Sequence, residues 1–171
     1  ARREQIVEVL REEGVLVLED APYLYINYAK PADRAQTFLS IDSRQTIHLF
    51  TGSKIGFPGP RVGYLYSDAT IKIEGGEEVP LTTLALTESS ADLLFQNPAA
   101  PRGFEALLHR REEDGQYTKR DSMWPLAEDK LGVYRENRKI LLDTLEAELK
   151  DLKEYFEWTI PDGGFFSVFT F

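Results

Sequence analysis

The sequence predicts an α/β fold. Helix-like and strand-like segments alternate along the chain. The apolar run Val15–Leu18 has no polar alternation, which suits a strand buried on both faces of a parallel sheet. The strand-like Thr46–Thr51 also feeds directly into a Gly/Pro-rich loop, and in such sheets ligands sit beyond the carboxyl ends of strands.

Arg2–Glu13 reads as a helix with Ile6, Val7 and Leu10 on one face, and Gly14 reads as its stop. Val15–Leu18 ends in Glu19-Asp20, and Pro22 marks a turn. Thr46–Thr51 leads into the loop Gly52–Pro60, and Arg61–Tyr66 is a third strand. Thr82–Phe95 and Gly103–Arg110 read as helices, and the charged stretch Arg111–Ser122, with Gly115 inside it, as a loop. Leu131, Tyr134, Leu141, Leu145, Leu149, Leu152 and Phe156 recur at helical spacing in an amphipathic helix over Pro125–Tyr155. Phe156–Phe171 reads as strand, turn at Pro161–Gly164, strand. The start inside a helix-like segment and the stop in an apolar strand predict a piece of a longer polypeptide.

Of the 171 residues, 42% are hydrophobic, enough for a folded core, and no apolar stretch is long enough to span a membrane. The net charge of −9 argues against broad capture of nucleic acid, which needs a basic face. With no cysteine there are no disulfides or thiolate metal sites, which fits a reducing, cytoplasmic compartment. His48 and His109 lack ligand spacing and read as structural or solvated.

The densest chemistry lies in Thr51-Gly52-Ser53-Lys54-Ile55-Gly56-Phe57-Pro58-Gly59-Pro60-Arg61-Val62-Gly63. A lysine closes a strand, hydroxyls stand one and three residues before it, and an arginine opens the next strand. The glycine spacing before the lysine is not that of a P-loop. Taken alone, Lys54 reads more readily as a surface lysine in a loop, and Asp20 also reads as a turn residue and Tyr23 as a half-buried aromatic.

Together these residues resemble the class I/II aminotransferases, the fold-type-I enzymes that use pyridoxal 5'-phosphate (PLP). Thr51, Ser53, Lys54, Pro58-Gly59, Arg61 and Gly63 follow that family's lysine motif. Asp20-Ala21-Pro22-Tyr23 resembles its aspartate-x-x-tyrosine, and Pro161-Asp162-Gly163-Gly164-Phe165-Phe166 its Pro-x-Gly-Gly-x-Phe turn.

The resemblance implies a mostly parallel sheet with helices on both faces. Residues 1–120 would be the C-terminal part of the large PLP-binding domain, and residues 121–171 the first part of an α+β small domain. It implies that Lys54 holds PLP as a Schiff base, the internal aldimine, and moves the α-proton once its amine is freed. Asp20 would bond the pyridine nitrogen and Tyr23 the phenolate oxygen. Arg61 would clamp the phosphate with Thr51, and Ser53 is a weaker candidate for the same contact.

The implied activity is transamination between an amino acid and a 2-oxo acid, in a homodimer. The family's ring-stacking aromatic, asparagine and phosphate-binding loop would precede residue 1, and its carboxylate-binding arginine would follow Phe171. The same motif also serves C–S lyases of the alliinase kind and aminotransferase-like regulators without catalysis, and fold alone does not separate them.

Overall fold

The computed structural model describes residues 2–94 and 97–171. Helix α1 spans Arg2–Glu12 and ends at Gly14, whose φ of 66° suits a residue without Cβ. Of its expected apolar face, Val7 is buried and Ile6 is partly exposed.

Strand β1 (Val17–Asp20) pairs in parallel with β2 (Thr46–Thr51), in the register Glu19↔His48 and Asp20↔Leu49. Strand β2 pairs antiparallel with β3 (Gly63–Tyr66), which gives the order β1-β2-β3. The short helix α2 (Phe38–Ile41) lies against β1 and β2, capped by Thr37, whose hydroxyl accepts from the Ser40 N–H.

The first strand departs from the expected burial on both faces. Val17 and Glu19 are buried, whereas Leu18 is 64% exposed. The alternation arises because only one face of β1 is covered among the described residues.

Two hairpins stand where the sequence predicts no strands. One joins β4 (Thr70–Lys72) to β5 (Glu78–Pro80), with Gly75 and Gly76 both at positive φ. The other joins β6 (His109–Arg111) to β7 (Tyr117–Lys119), with Gly115 at φ 83°. Gly-Gly at residues 75–76 and Asp114-Gly115 are hairpin signals, since their turns need positive φ. The second hairpin corrects the helix expected over Gly103–Arg110. Helix α4 runs Ala99–Leu107 and His109 belongs to a strand. Helix α3 covers Leu81–Leu93, and the expected end at Phe95 lies outside the described residues.

Helix α5 (Trp124–Leu149) continues into a 3-10 turn, Lys150–Leu152. Pro125 sits in its first turn, where its missing N–H costs nothing. Only Ala127 and Leu131 of α5 are buried, and Leu141 farther along the expected stripe is 46% exposed. The closing strands β8 (Glu157–Trp158) and β9 (Phe169–Thr170) pair antiparallel.

Two apolar clusters position the loops that follow β1 and β2. Ile26, Ala127 and Leu131 pack with Tyr23, Tyr25 and Tyr28, which ties the loop after β1 to α5. Ile55, Val62 and Phe104 pack with Phe50 and Phe57, which ties the loop after β2 to α4. Tyr25 touches both clusters.

Candidate functional site

Strand β2 delivers Thr51 to its carboxyl end. The Thr51 hydroxyl accepts from the Ser53 N–H at 3.2 Å and starts a 3-10 turn, Gly52–Ile55. Gly52 is packed so closely on Phe104 that a Cβ would meet the ring at 2.7 Å. Gly56, at φ 108°, stops the turn. Ile55, 3% exposed, anchors the segment from below.

Lys54 is the residue that this turn presents. Its Nζ lies 5.3 Å from the centre of the Tyr23 ring and 5.9 Å from that of Phe165. Aromatic faces at this range attract a cation. Among the described residues Lys54 has no hydrogen bond or ion pair, so its amine is free for other work.

Arg61 returns to the same turn from the far end of the loop. Its Nη1 donates to Ser53 Oγ at 3.2 Å, and Thr51 Oγ1 lies 3.1 Å from that same oxygen. Thr51 Oγ1 is also 3.1 Å from the Val62 carbonyl oxygen, so its single proton serves one of the two acceptors. Among the described residues no carboxylate pairs with Arg61. A guanidinium beside two hydroxyls, with no acid to neutralise it, suits a phosphate group. Arg61 holds φ 56°, a left-handed conformation that costs a side chain energy.

Asp20 ends β1 and is exposed. The next residue locks to the neighbouring strand, with the Ala21 N–H donating to the Leu49 carbonyl at 3.0 Å. Asp20 and Tyr23 line an open cleft of about 650 Å3, whose other walls include Thr37, Phe38 and the turn Asp162–Gly164. Among the described residues the Asp20 carboxylate has no partner.

The Gly-Gly turn is docked on the loop after β1. The Gly164 N–H donates to the Ile26 carbonyl at 2.7 Å, and the Tyr28 N–H to the Asp162 carbonyl at 2.8 Å. The Tyr28 hydroxyl donates to the Gly164 carbonyl at 2.7 Å, and Arg138 Nε to the Pro161 carbonyl at 2.7 Å. Burial raises the Tyr28 hydroxyl above its ordinary pKa, and nearby Arg138 opposes this in part. Tyr28 therefore stays protonated as a donor. The docked turn sets Phe165 and Phe166 edge-on to Tyr23, with ring centres at 5.6 and 6.0 Å.

The six residues expected from the sequence thus fall into adjoining groups. Thr51, Ser53 and Arg61 form one, and Asp20 and Tyr23 share the cleft. Lys54 does not line that cleft and meets the second group through the Tyr23 ring. Sequence reasoning missed the docking bonds of Tyr28 and Arg138 and the buried Glu19. A charged residue such as Glu19 beside an apolar run was the available signal for one of them. His48 is buried in β2 against Glu19, in keeping with a structural role. Among the described residues no group of three or more His, Cys, Asp or Glu is placed to hold a metal, and no helix is long and apolar enough to cross a membrane.

This arrangement is similar to part of the fold of solved aminotransferases. The chain is 28% identical over 171 residues to the (S)-3,5-dihydroxyphenylglycine transaminase of Amycolatopsis orientalis, covering 98% of this chain and 35% of that relative. It is 26% identical over 166 residues to the mitochondrial kynurenine/alpha-aminoadipate aminotransferase of Mus musculus, covering 96% of this chain and 34% of that enzyme. Among solved structures, the alpha-aminoadipate aminotransferase of Thermus thermophilus, complexed with N-(5'-phosphopyridoxyl)-L-leucine, superposes with a TM-score of 0.68 at 22% identity. That match covers 96% of this chain and 37% of the solved one. The chain therefore spans about a third of the length of the curated relatives it matches. No protein-family model matches it.

Proposed function

We propose that the protein containing this chain is a PLP-dependent aminotransferase, moving an amino group between an amino acid and a 2-oxo acid. The observation that carries this reading is the turn after β2. It presents an unpaired lysine amine within 5.3 Å of the Tyr23 ring centre, while Arg61, Ser53 and Thr51 make an acid-free oxyanion site on the same turn. The relatives' aminotransferase names support it.

In this reading Arg61 and Thr51 hold the cofactor phosphate, with Ser53 between them. Asp20 accepts a hydrogen bond from the ring nitrogen and keeps it protonated. The Tyr23 hydroxyl donates to the phenolate oxygen. When bound, PLP supplies an aldehyde that condenses with an amine and a ring that withdraws electrons. Lys54 would hold the group through its amine, and that amine, once freed, would move the proton at the substrate Cα. The Tyr23 and Phe165 rings flank this amine.

Residues 1–120 act as the C-terminal part of the large PLP-binding domain, and 121–171 as the first part of the small domain. The enzyme works as a homodimer in the cytoplasm. The test is the visible spectrum of the purified full-length protein. A cofactor band that the Lys54→Ala variant lacks is the expected result, and no PLP band in the unaltered protein overturns the reading. Adding an amino acid alone separates the alternatives, since an aminotransferase stops after one half-reaction whereas a lyase keeps releasing fragments.

A further inference from the structure

Glu19 is buried at 9% exposure and its carboxylate joins four elements. Oε1 accepts from the Phe38 N–H at 2.9 Å, and Oε2 from the Leu39 N–H at 3.2 Å, both in α2. Oε2 also meets Nδ1 of His48, on β2, at 2.9 Å. Arg3 of α1 stands 3.7 Å from Oε1. A carboxylate only accepts hydrogen bonds, so His48 carries its proton on Nδ1. A buried carboxylate is costly unless its oxygens are satisfied, and here both are.

The place of this pair in the sheet gives it a consequence. Glu19 and His48 are register partners across the parallel β1–β2 ladder. Asp20 is the next residue of β1, and β2 runs on through Thr51 to Lys54. The Glu19–His48 bond therefore ties the strand that ends in Asp20 to the strand that leads to Lys54. A slip of register would move every side chain of the ladder, Asp20 included. The bond to the Phe38 N–H ties another residue that lines the Asp20 cleft to the same carboxylate.

We infer that Glu19 and His48 are positioning residues that hold Asp20 at its working distance from Lys54. This rests on the aminotransferase reading above. It makes a statement about coupling, which a merely stabilising pair does not share. If Glu19 and His48 act through Asp20, their loss weakens PLP binding only while Asp20 has its function.

The experiment is a double-mutant cycle in the full-length protein, read as the dissociation constant of PLP from the apo form. Thermal unfolding is followed in parallel. His48→Leu removes the donor, and His48→Asn keeps an N–H near the Nδ1 position. The expected result is that His48→Leu weakens PLP binding about tenfold and His48→Asn restores most of it, while in an Asp20→Asn background His48→Leu adds less than about twofold. Glu19→Gln is expected to follow His48→Leu.

Equal effects of His48→Leu in both backgrounds, or a lowered unfolding temperature with unchanged PLP affinity, overturn the inference and leave the aminotransferase reading standing. Should His48→Leu fail to fold, Glu19→Gln carries the same cycle. Absence of PLP binding by the unaltered protein overturns both.

Discussion

Gly163 lies so close to Ile26 that a Cβ on it would stand 2.5 Å from the Ile26 carbonyl oxygen. The contact belongs to the bridge Asn27↔Gly163, which docks the Gly-Gly turn on the loop carrying Tyr23. Gly163→Ala must push the two backbones apart, and no side-chain rotation relieves a backbone clash. We expect a loss of about 1–3 kcal/mol in urea unfolding of the full-length protein. Gly132, in α5, has nothing within 4 Å of the same position. There the Ala variant is expected to gain about 0.5–1 kcal/mol from helix propensity. Equal effects at the two glycines would falsify the close approach at Gly163.

In the proposed reading Arg61 combines a strained backbone with a phosphate contact. Its φ of 56° suits glycine better than arginine. Arg61→Gly is expected to raise the stability of the apo protein by about 0.5–1 kcal/mol, since it removes the left-handed penalty. The same variant deletes the guanidinium beside Ser53 and should weaken PLP binding about 10- to 100-fold. Calorimetry of the apo form and a PLP titration measure the two halves. Tight PLP binding by Arg61→Gly would remove Arg61 from the phosphate site.

Arg11 and Asp42 make a hydrogen-bonded ion pair between α1 and the end of α2. The Arg11 side-chain bond holds the Asp42 carboxyl below its ordinary value of 3.8, and burial opposes it in part. A carboxyl depressed in the folded state adds stability above its unfolded pKa, and that share is lost as pH falls through the folded pKa. Stability attributable to the pair is therefore present at pH 7 and disappears in acid, below the ordinary value. Arg11→Gln is expected to flatten this part of the stability–pH curve and to lower stability slightly at pH 7. Unfolding midpoints of both proteins from pH 7 to strong acid measure it. A curve unchanged in shape would mean the pair is too solvated to matter.

How far the site was legible depended on what each residue needs. Lys54, Thr51, Ser53 and Arg61 lie within eleven residues, and their spacing marks a strand, a tight turn and a return. The structure brings Thr51, Ser53 and Arg61 together at 3.1–3.2 Å. Asp20 and Tyr23 stood out only through the resemblance of Asp20-Ala21-Pro22-Tyr23 to the aminotransferase motif, since a strand end followed by proline is by itself an ordinary turn. Glu19 and His48 did not. Each looks ordinary in its own segment, and their pairing follows from a register that joins positions 29 residues apart.

The same distinction runs through the whole chain. Local sequence determined the α/β alternation, β2 at Thr46–Thr51 and a long helix beginning near Pro125, because hydrophobic period and turn residues act within a few positions. Two hairpins escaped notice although Gly-Gly and Asp-Gly announced them, since their strands are three residues long and carry little pattern. Only the tertiary structure decided that Leu18 faces out and Glu19 in, and that the Gly-Gly turn sits on Ile26 and Tyr28. It also set Lys54 beside Tyr23 and Phe165. Those facts depend on what lies opposite each residue in space, and a one-dimensional pattern specifies only which side of an element a residue occupies.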